Sequence, residues 1–296
     1  MRRLVTVFVI LAVLAWIFFP RPANPYRRET YILVSDPMVV ASWNPADRTL
    51  TLITLPSDIA AEGTHGYGIY SLAAFWRLGE IDKKDGTVLA ETLSEALGVP
   101  IDGYIGPKTG GNISQSVFLI KNICGFLGGA YRTNIPLNTF ISLAWMLNVQ
   151  RPHRVNTYDF TRNPSDIAQN AVLPDGSTMR ILDPQRLDSQ LKSVFEDESL
   201  RRESVTVAVY NTTDMPSLGN RVGRLLTNLG VSVVTVGNDT PEVNACTVTG
   251  ADAALKSKSA DVIVAVLGCQ RSVGQVSRAD LIIRTGASYA KRFLPN

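Results

Sequence analysis

The chain has 296 residues, 29 Lys and Arg against 26 Asp and Glu, and a net charge of +3. That length gives room for two hydrophobic cores, while scattered positive charge lacks the basic stripe with interleaved aromatics of a nucleic-acid binder. Two histidines and three cysteines (Cys124, Cys246, Cys269) fall in no metal-ligand spacing, which excludes a zinc or iron–sulfur protein.

Met1-Arg2-Arg3 is a short basic start, and Leu4 to Phe19 is apolar except for Thr6. As helix this run spans ~24 Å, slightly less than the ~30 Å hydrocarbon core. Trp16, Ile17, Phe18, Phe19 and Pro20 are too bulky for signal peptidase, so the run reads as an uncleaved transmembrane anchor. The body is placed on the extracytoplasmic side of the cell membrane. Arg21 to Arg28, with Pro20, Pro22 and Pro25, then makes an extended spacer.

Tyr31 to Asp58 follows. Two β-prone runs, Pro37–Trp43 and Thr49–Leu55, flank Asn44-Pro45-Ala46-Asp47, so the pair reads as a β-hairpin with Val39, Val40, Leu50, Leu52 and Ile53 as core residues. Asp36 and Asp58 stand at its outer ends. A hairpin folds those ends together, which makes the two carboxylates the site candidate. The same residues also suit turn and helix-cap positions, and both readings stand.

Ile59 to Gly68 reads as a loop. Tyr70–Leu78, Thr87–Leu97 and Asn112–Leu127 have helical apolar spacing, and Val99–Ile105 reads as a short strand. Leu137–Leu147 reads as a helix, Arg154–Phe160 as a strand, Thr178–Leu182 as a strand and Pro184–Phe195 as a helix. The charge run Glu196–Glu203 divides two patterned regions. Beyond it come strand Ser204–Tyr210, helix Leu218–Leu229 and strand Val231–Val236, a β-α-β unit. Cys246–Val248 is a further strand. Lys256–Leu267 reads as helix, with a strand also allowed, and Ala279–Arg284 is the last strand. Cys246 and Cys269 flank that helix and either pair as a disulfide or stay as buried thiols. Strands interleaved with helices imply an α/β layer architecture.

The order Asp36, Asn44-Pro45 and Leu55-Pro56-Ser57-Asp58 resembles the opening of the LytR–CpsA–Psr (LCP) family. Leu97-Gly98-Val99-Pro100-Ile101-Asp102-Gly103-Tyr104 is similar to that family's Leu-Gly-x-x-Ile-Asp-x-Tyr segment. Residues 204–296 resemble the small LytR C-terminal domain that often follows. The resemblance covers most of 31–106 and of 204–296; residues 107–200 match poorly. It implies an N-terminal transmembrane helix over 1–22, a spacer over 23–30, an LCP-like layered α/β domain over 31–202 and a LytR C-terminal-like α/β domain over 203–296.

What it implies for function is transfer of a glycopolymer from polyprenyl pyrophosphate to peptidoglycan, with aspartates holding Mg²⁺ and arginines neutralising the pyrophosphate. Asp36 and Asp58 match the family's aspartates and would be the catalytic and Mg²⁺-binding residues. Ser57 stands where the family has arginine, Val34 and Ser35 supply none beside Asp36, and Asp159-Phe160-Thr161-Arg162 only faintly echoes the later arginine cluster. Arg162 is the remaining basic candidate. The expectation is therefore an anchored cell-envelope protein that binds lipid carrier, wall polymer or a partner without efficient catalysis. The alternative is an active phosphotransferase.

Overall fold

The computed structural model describes residues 28–108, 125–126, 128–172, 176, 178–191 and 193–294. The anchor over 1–22, most of the spacer, most of the helix expected over Asn112–Leu127 with its Cys124, and most of the turn at 173–177 lie outside the described residues. Among the described residues no helix is long and apolar enough to cross a membrane. Contacts divide the chain into two compact units. One takes the described residues up to Ser57 together with Asp102–Thr161; the other takes Asp58–Ile101 and the chain from Arg162 onward.

The first unit is built on a six-stranded sheet, ordered β7-β6-β1-β2-β3-β8. Its strands are β1 (Glu29–Leu33), β2 (Met38–Asn44), β3 (Thr49–Leu55), β6 (Gly103–Pro107), β7 (Tyr131–Thr133) and β8 (Arg154–Asp159). β2 and β3 form the expected hairpin, in register from Met38 opposite Leu55 to Asn44 opposite Thr49. Asn44 Oδ1 accepts from Ala46 N–H and Asp47 Oδ1 from Thr49 N–H, so the turn residues use their own side chains to close it. β1 runs antiparallel to β2, and β6 and β8 run parallel to β1 and β3.

Because side chains alternate along a strand, Tyr31, Leu33, Val39, Ala41, Trp43, Leu50 and Leu52 share one face. Helix α3 (Leu137–Trp145) covers it with Phe140 and Leu143, and a following π turn (Met146–Gln150) adds Met146.

The second unit holds two sheets. Strands β4 (Ala60–Gly63), β5 (Gly68–Ser71), β9 (Ala168–Val172) and β10 (Thr178–Leu182) order as β5-β4-β10-β9. With them pack helices α1 (Leu72–Ile81), α2 (Thr87–Leu97) and α4 (Pro184–Gln190). The stretch expected as a loop, Ile59 to Gly68, is instead mostly the β4–β5 hairpin. Its short strands carry glycine at both inner ends, which hides the alternation.

The expected strand at Val99 begins only at Gly103. The helix from Pro184 stops at Gln190 rather than Phe195, and Tyr70 lies in β5 ahead of α1. Glu29 and Thr30, counted with the spacer, are the start of β1.

Helix α5 (Glu198–Glu203) leads into a five-stranded sheet ordered β12-β11-β15-β13-β14. Its elements are β11 (Thr206–Asn211), α6 (Leu218–Asn228), β12 (Ser232–Asn238), β13 (Thr247–Gly250), α7 (Asp252–Leu255), α8 (Lys258–Leu267), β14 (Gln270–Val273), β15 (Leu281–Thr285) and α9 (Ala287–Ala290). β11 and β12 pair in parallel across α6, which is the β-α-β unit read from the sequence. Val207, Val209, Leu218, Val222, Leu225, Ile263, Leu281 and Ile283 form its core. Cys246 and Cys269 are joined as a disulfide.

Candidate functional site

The covered face of the first sheet is incompletely filled. Between it and α3 lies a cavity of about 180 Å³ lined by Tyr31, Leu33, Val39, Trp43, Leu50, Leu52 and Met146, among other apolar side chains. Leu50 and Leu52 reach it from the hairpin's second strand, and Val155 of β8 lies opposite Leu50 in register. Val155 is 51% exposed and Trp145 49%, so two apolar side chains face solvent at this end of the sheet and of α3.

The cavity runs along the hairpin between two chemically different ends. Leu33 and Val39 lie toward the outer end, where Asp36 stands exposed just before β2. Ser57 Oγ donates to Asp36 Oδ1 at 2.7 Å. The Val34 N–H donates to Ile105 O at 2.9 Å, which puts the end of β6, and Lys108 just beyond it, on this same edge. Arg132 pairs with Gly106 across β6 and β7, so a second cation sits on that side of the sheet. Sequence reasoning missed Lys108 and Arg132. Only the strand order, with β7 and β6 beside β1, brings them to the same end of the sheet as a residue about seventy and about a hundred positions earlier in the chain. The retrievable signal was the Gly103–Tyr104 segment, part of the strand expected over Val99–Ile105, which in the structure ends at Pro107, one residue before Lys108.

The remaining candidates fall as follows. Asp58 belongs to the second unit, where Arg180 Nη2 donates to its Oδ2 at 3.3 Å. Both groups are largely in water, which weakens that pair. Arg162 is exposed and opens the second unit's later stretch. Among the described residues no three His, Cys, Asp or Glu side chains gather to hold a metal ion, so the described donors make no Mg²⁺ cage by themselves. In the first unit Asp36 meets a hydroxyl at Ser57, the position where an arginine was sought.

The second unit has a polar cluster of its own, and its role is to join. Arg224 of α6 grips Asp188 through Nε (2.7 Å) and Nη2 (2.8 Å), and caps α2 by donating to Glu95 O (2.7 Å) and Ala96 O (2.9 Å). Asn228 Nδ2 adds bonds to Leu97 O and Gly98 O. Nearby, burial pushes the Glu95 carboxyl above its ordinary range, opposed by Arg221, Arg292 and Arg224. The charge run at 196–203 also docks rather than merely facing solvent. Glu203 accepts from the N–H groups of Lys258 and Ser259 at the start of α8, and Lys258 Nζ lies 2.7 Å from Asp197 Oδ2.

Residues 204–289 match the family model LytR_C, described as LytR cell envelope-related transcriptional attenuator. This part of the chain is similar to LytR_C domains. The match begins at Ser204, directly after the charge run, and spans the five-stranded sheet and its helices. No curated protein matches the chain.

Among solved structures, ywtF from Bacillus subtilis, titled a putative transcriptional regulator, aligns at 13% identity and TM-score 0.40, over 58% of this chain and 91% of that one. YwtF (TagT), titled a LytR-CPS2A-psr family protein with bound octaprenyl pyrophosphate lipid, aligns at 14% identity and TM-score 0.38, over 57% and 90%. Lin1025 from Listeria innocua aligns at 13% and 0.39, over 56% and 95%. Likeness at this level carries no argument.

Proposed function

We propose that the protein works in the bacterial cell envelope, as an anchored extracytoplasmic protein whose first unit holds the apolar tail of a lipid-linked glycopolymer. The observation that carries this reading is the apolar cavity on the Tyr31–Leu52 face, which ends at a polar edge bearing Asp36, Ser57 and Lys108. An extended hydrocarbon chain is the ligand that such a lining fits, because it has no hydrogen bonds to offer or lose. At about 180 Å³ the space takes a stretch of chain, not a whole polyprenyl tail. The LytR_C similarity of residues 204–289 supports the envelope setting.

Efficient phosphotransfer is not part of this reading. A pyrophosphate leaving group needs fixed cationic donors aimed at its developing charge, and planar arginine forks serve best. At the Asp36 edge the position after Leu55-Pro56 is a serine, which donates one neutral hydrogen bond to the carboxylate. A Mg²⁺ ion would take Asp36 together with the ligand's own phosphate oxygens, since Mg²⁺ is commonly held by one or two carboxylates plus phosphates.

The test uses the full chain in detergent with a polyprenyl-pyrophosphate glycan and Mg²⁺. The expected result is saturable binding without release of polyprenyl phosphate, with binding lost in Ala41→Phe, which fills the cavity. Release of polyprenyl phosphate that Asp36→Ala abolishes would replace this reading with an active phosphotransferase. Binding unaffected by Ala41→Phe would remove the cavity from it.

A further inference from the structure

The opposite end of the hairpin carries arginines that the lipid site does not use. Arg48 closes the β2–β3 turn, and its carbonyl accepts from His153 N–H at 2.9 Å. Arg48 Nη1 lies 3.1 Å from His153 Nε2, and since a guanidinium only donates, that nitrogen accepts. Arg154 pairs with Thr49, and Arg151 N–H returns to Met146 O at 2.9 Å, which sets it beside Trp145 at the end of α3. Three arginines thus share one edge with two exposed apolar side chains, Trp145 and Val155.

The start of the described chain lies on this same edge. β1 is antiparallel to β2 with Glu29 opposite Trp43, so residues 1–27 join the fold at the hairpin turn and not at the Asp36 end. Residues 20–27, extended, reach at most ~29 Å, and less as a proline-rich segment. A membrane holding residues 4–19 is therefore within one linker length of the Arg48 edge.

Charge on the edge is uneven. Glu29 and Asp102 are carboxylates at this end too, but they belong to β1 and the start of β6. In the strand order they stand three and four places from β8, which is ~14 and ~19 Å at the usual strand spacing. That exceeds the ~10 Å over which salt leaves exposed charges coupled for Arg154, whereas Arg48, just before β3, stands two places from β1, at ~10 Å. Asp47 is closer and offsets one of the three arginine charges, while its Oδ1 accepts from Thr49 N–H.

We propose that the edge formed by Arg48, Arg151 and Arg154, with Trp145 and Val155, docks on the anionic headgroups of the membrane that carries the N-terminal segment. This rests on the anchored reading above. Arginines attract the phosphates, and tryptophan and valine enter the interface, where an amphipathic ring is at home. Docking here holds the long axis of the hairpin upright, with the apolar cavity opening toward the bilayer and Asp36 away from it.

The test places the full chain in discs of phosphatidylcholine and in discs of equimolar phosphatidylcholine and phosphatidylglycerol, and reads amide exchange along 151–158 and 44–49. The mixed discs should slow exchange there and leave β7 unchanged. Each arginine near an anionic surface is worth about fivefold in partition, so Arg48→Gln/Arg151→Gln/Arg154→Gln should lower docking by on the order of 100-fold and erase the protection. The corresponding triple lysine variant should keep it.

Equal exchange in both discs, or protection that survives the glutamine variant, would overturn the proposal. So would the same protection induced by soluble polyphosphate without anionic lipid, which would point to a polymer instead. Retention on phosphatidylcholine discs reports the anchor separately. If the chain fails to stay there, flotation with phosphatidylglycerol vesicles still decides: binding lost in the glutamine variant supports the edge, and no binding refutes it.

Discussion

Replacing Arg224 by alanine should uncouple α6 from α2 more than its single charge suggests. The guanidinium makes four short bonds at once, two to the Asp188 carboxylate and two to the carbonyls of Glu95 and Ala96. Those carbonyls are in the last turn of α2, where helix geometry leaves acceptors short of partners; Glu95 O also accepts from Gly98 N–H, at 3.3 Å. Hydrogen bonds to charged groups contribute ~1.5–3 kcal/mol each, yet Arg224 and Asp188 keep 22% and 34% of their side-chain surface in water, so the full sum does not apply. A net loss of about 3 kcal/mol is expected, because among the described residues alanine also leaves Asp188 with Asn228 as its donor, at 3.2 Å.

Native-state hydrogen exchange reads this locally. The amides of Leu97, Gly98 and Val99 should exchange on the order of 100-fold faster in Arg224→Ala, and roughly tenfold faster in Arg224→Lys, which keeps a point charge but loses the fork. Amides of β13, on the far side of the five-stranded sheet, should not change. Acceleration below about threefold in the alanine variant would show that the cluster is a solvated surface feature and that packing alone joins α2 to α6.

Three further outcomes follow from individual contacts. Burial alone would raise the Asp197 carboxyl, but hydrogen bonds from Lys258 and Ser199 hold it below its ordinary 3.8. A lowered folded value contributes stability above 3.8 that disappears as pH falls through the folded value. The urea midpoints of wild type and Asp197→Asn should therefore converge in acid, and a gap independent of pH would sink the assignment. The Cys246–Cys269 bridge closes a loop of sequence separation 23. Reduction should cost ~3 kcal/mol on the chain-entropy account, and an unchanged urea midpoint in reductant would refute it. In Gly79→Ala the new Cβ would stand 1.7 Å from Asp85 O, a backbone atom that cannot rotate away. The expected loss is about 3 kcal/mol in thermal or urea unfolding, and a change under about 0.5 kcal/mol would mean the loop shifts freely.

The elements that were legible in the sequence are those whose pattern is local. Asn44 and Asp47 close their turn with their own side chains, so the β2–β3 hairpin could be read without knowing its neighbours. Thr87–Leu97 ends where Gly98 takes the left-handed conformation (φ 63°), a stop signal carried by one residue. Leu218, Val222 and Leu225 repeat at helical spacing, and valine alternation marks β11 on one side and β12 on the other. The β4–β5 hairpin was hidden because four-residue strands rich in glycine show no period. β14, reading Gln270-Arg271-Ser272-Val273, was hidden because an edge strand exposed along its length has no apolar face to display.

The sequence by itself determined the hairpin, the amphipathic helices and the β-α-β unit, because each is specified by residues within a few positions of one another. Tertiary structure alone decided which ends meet. Nothing near Asp36 in the chain announces Lys108, and nothing near Arg48 announces Arg151 and Arg154; the order of strands in the sheet does. The apolar cavity is likewise a property of packing. Tyr31, Val39 and Leu52 share a face by alternation, but whether α3 fills that face or leaves space depends on side-chain volumes from segments about a hundred residues apart.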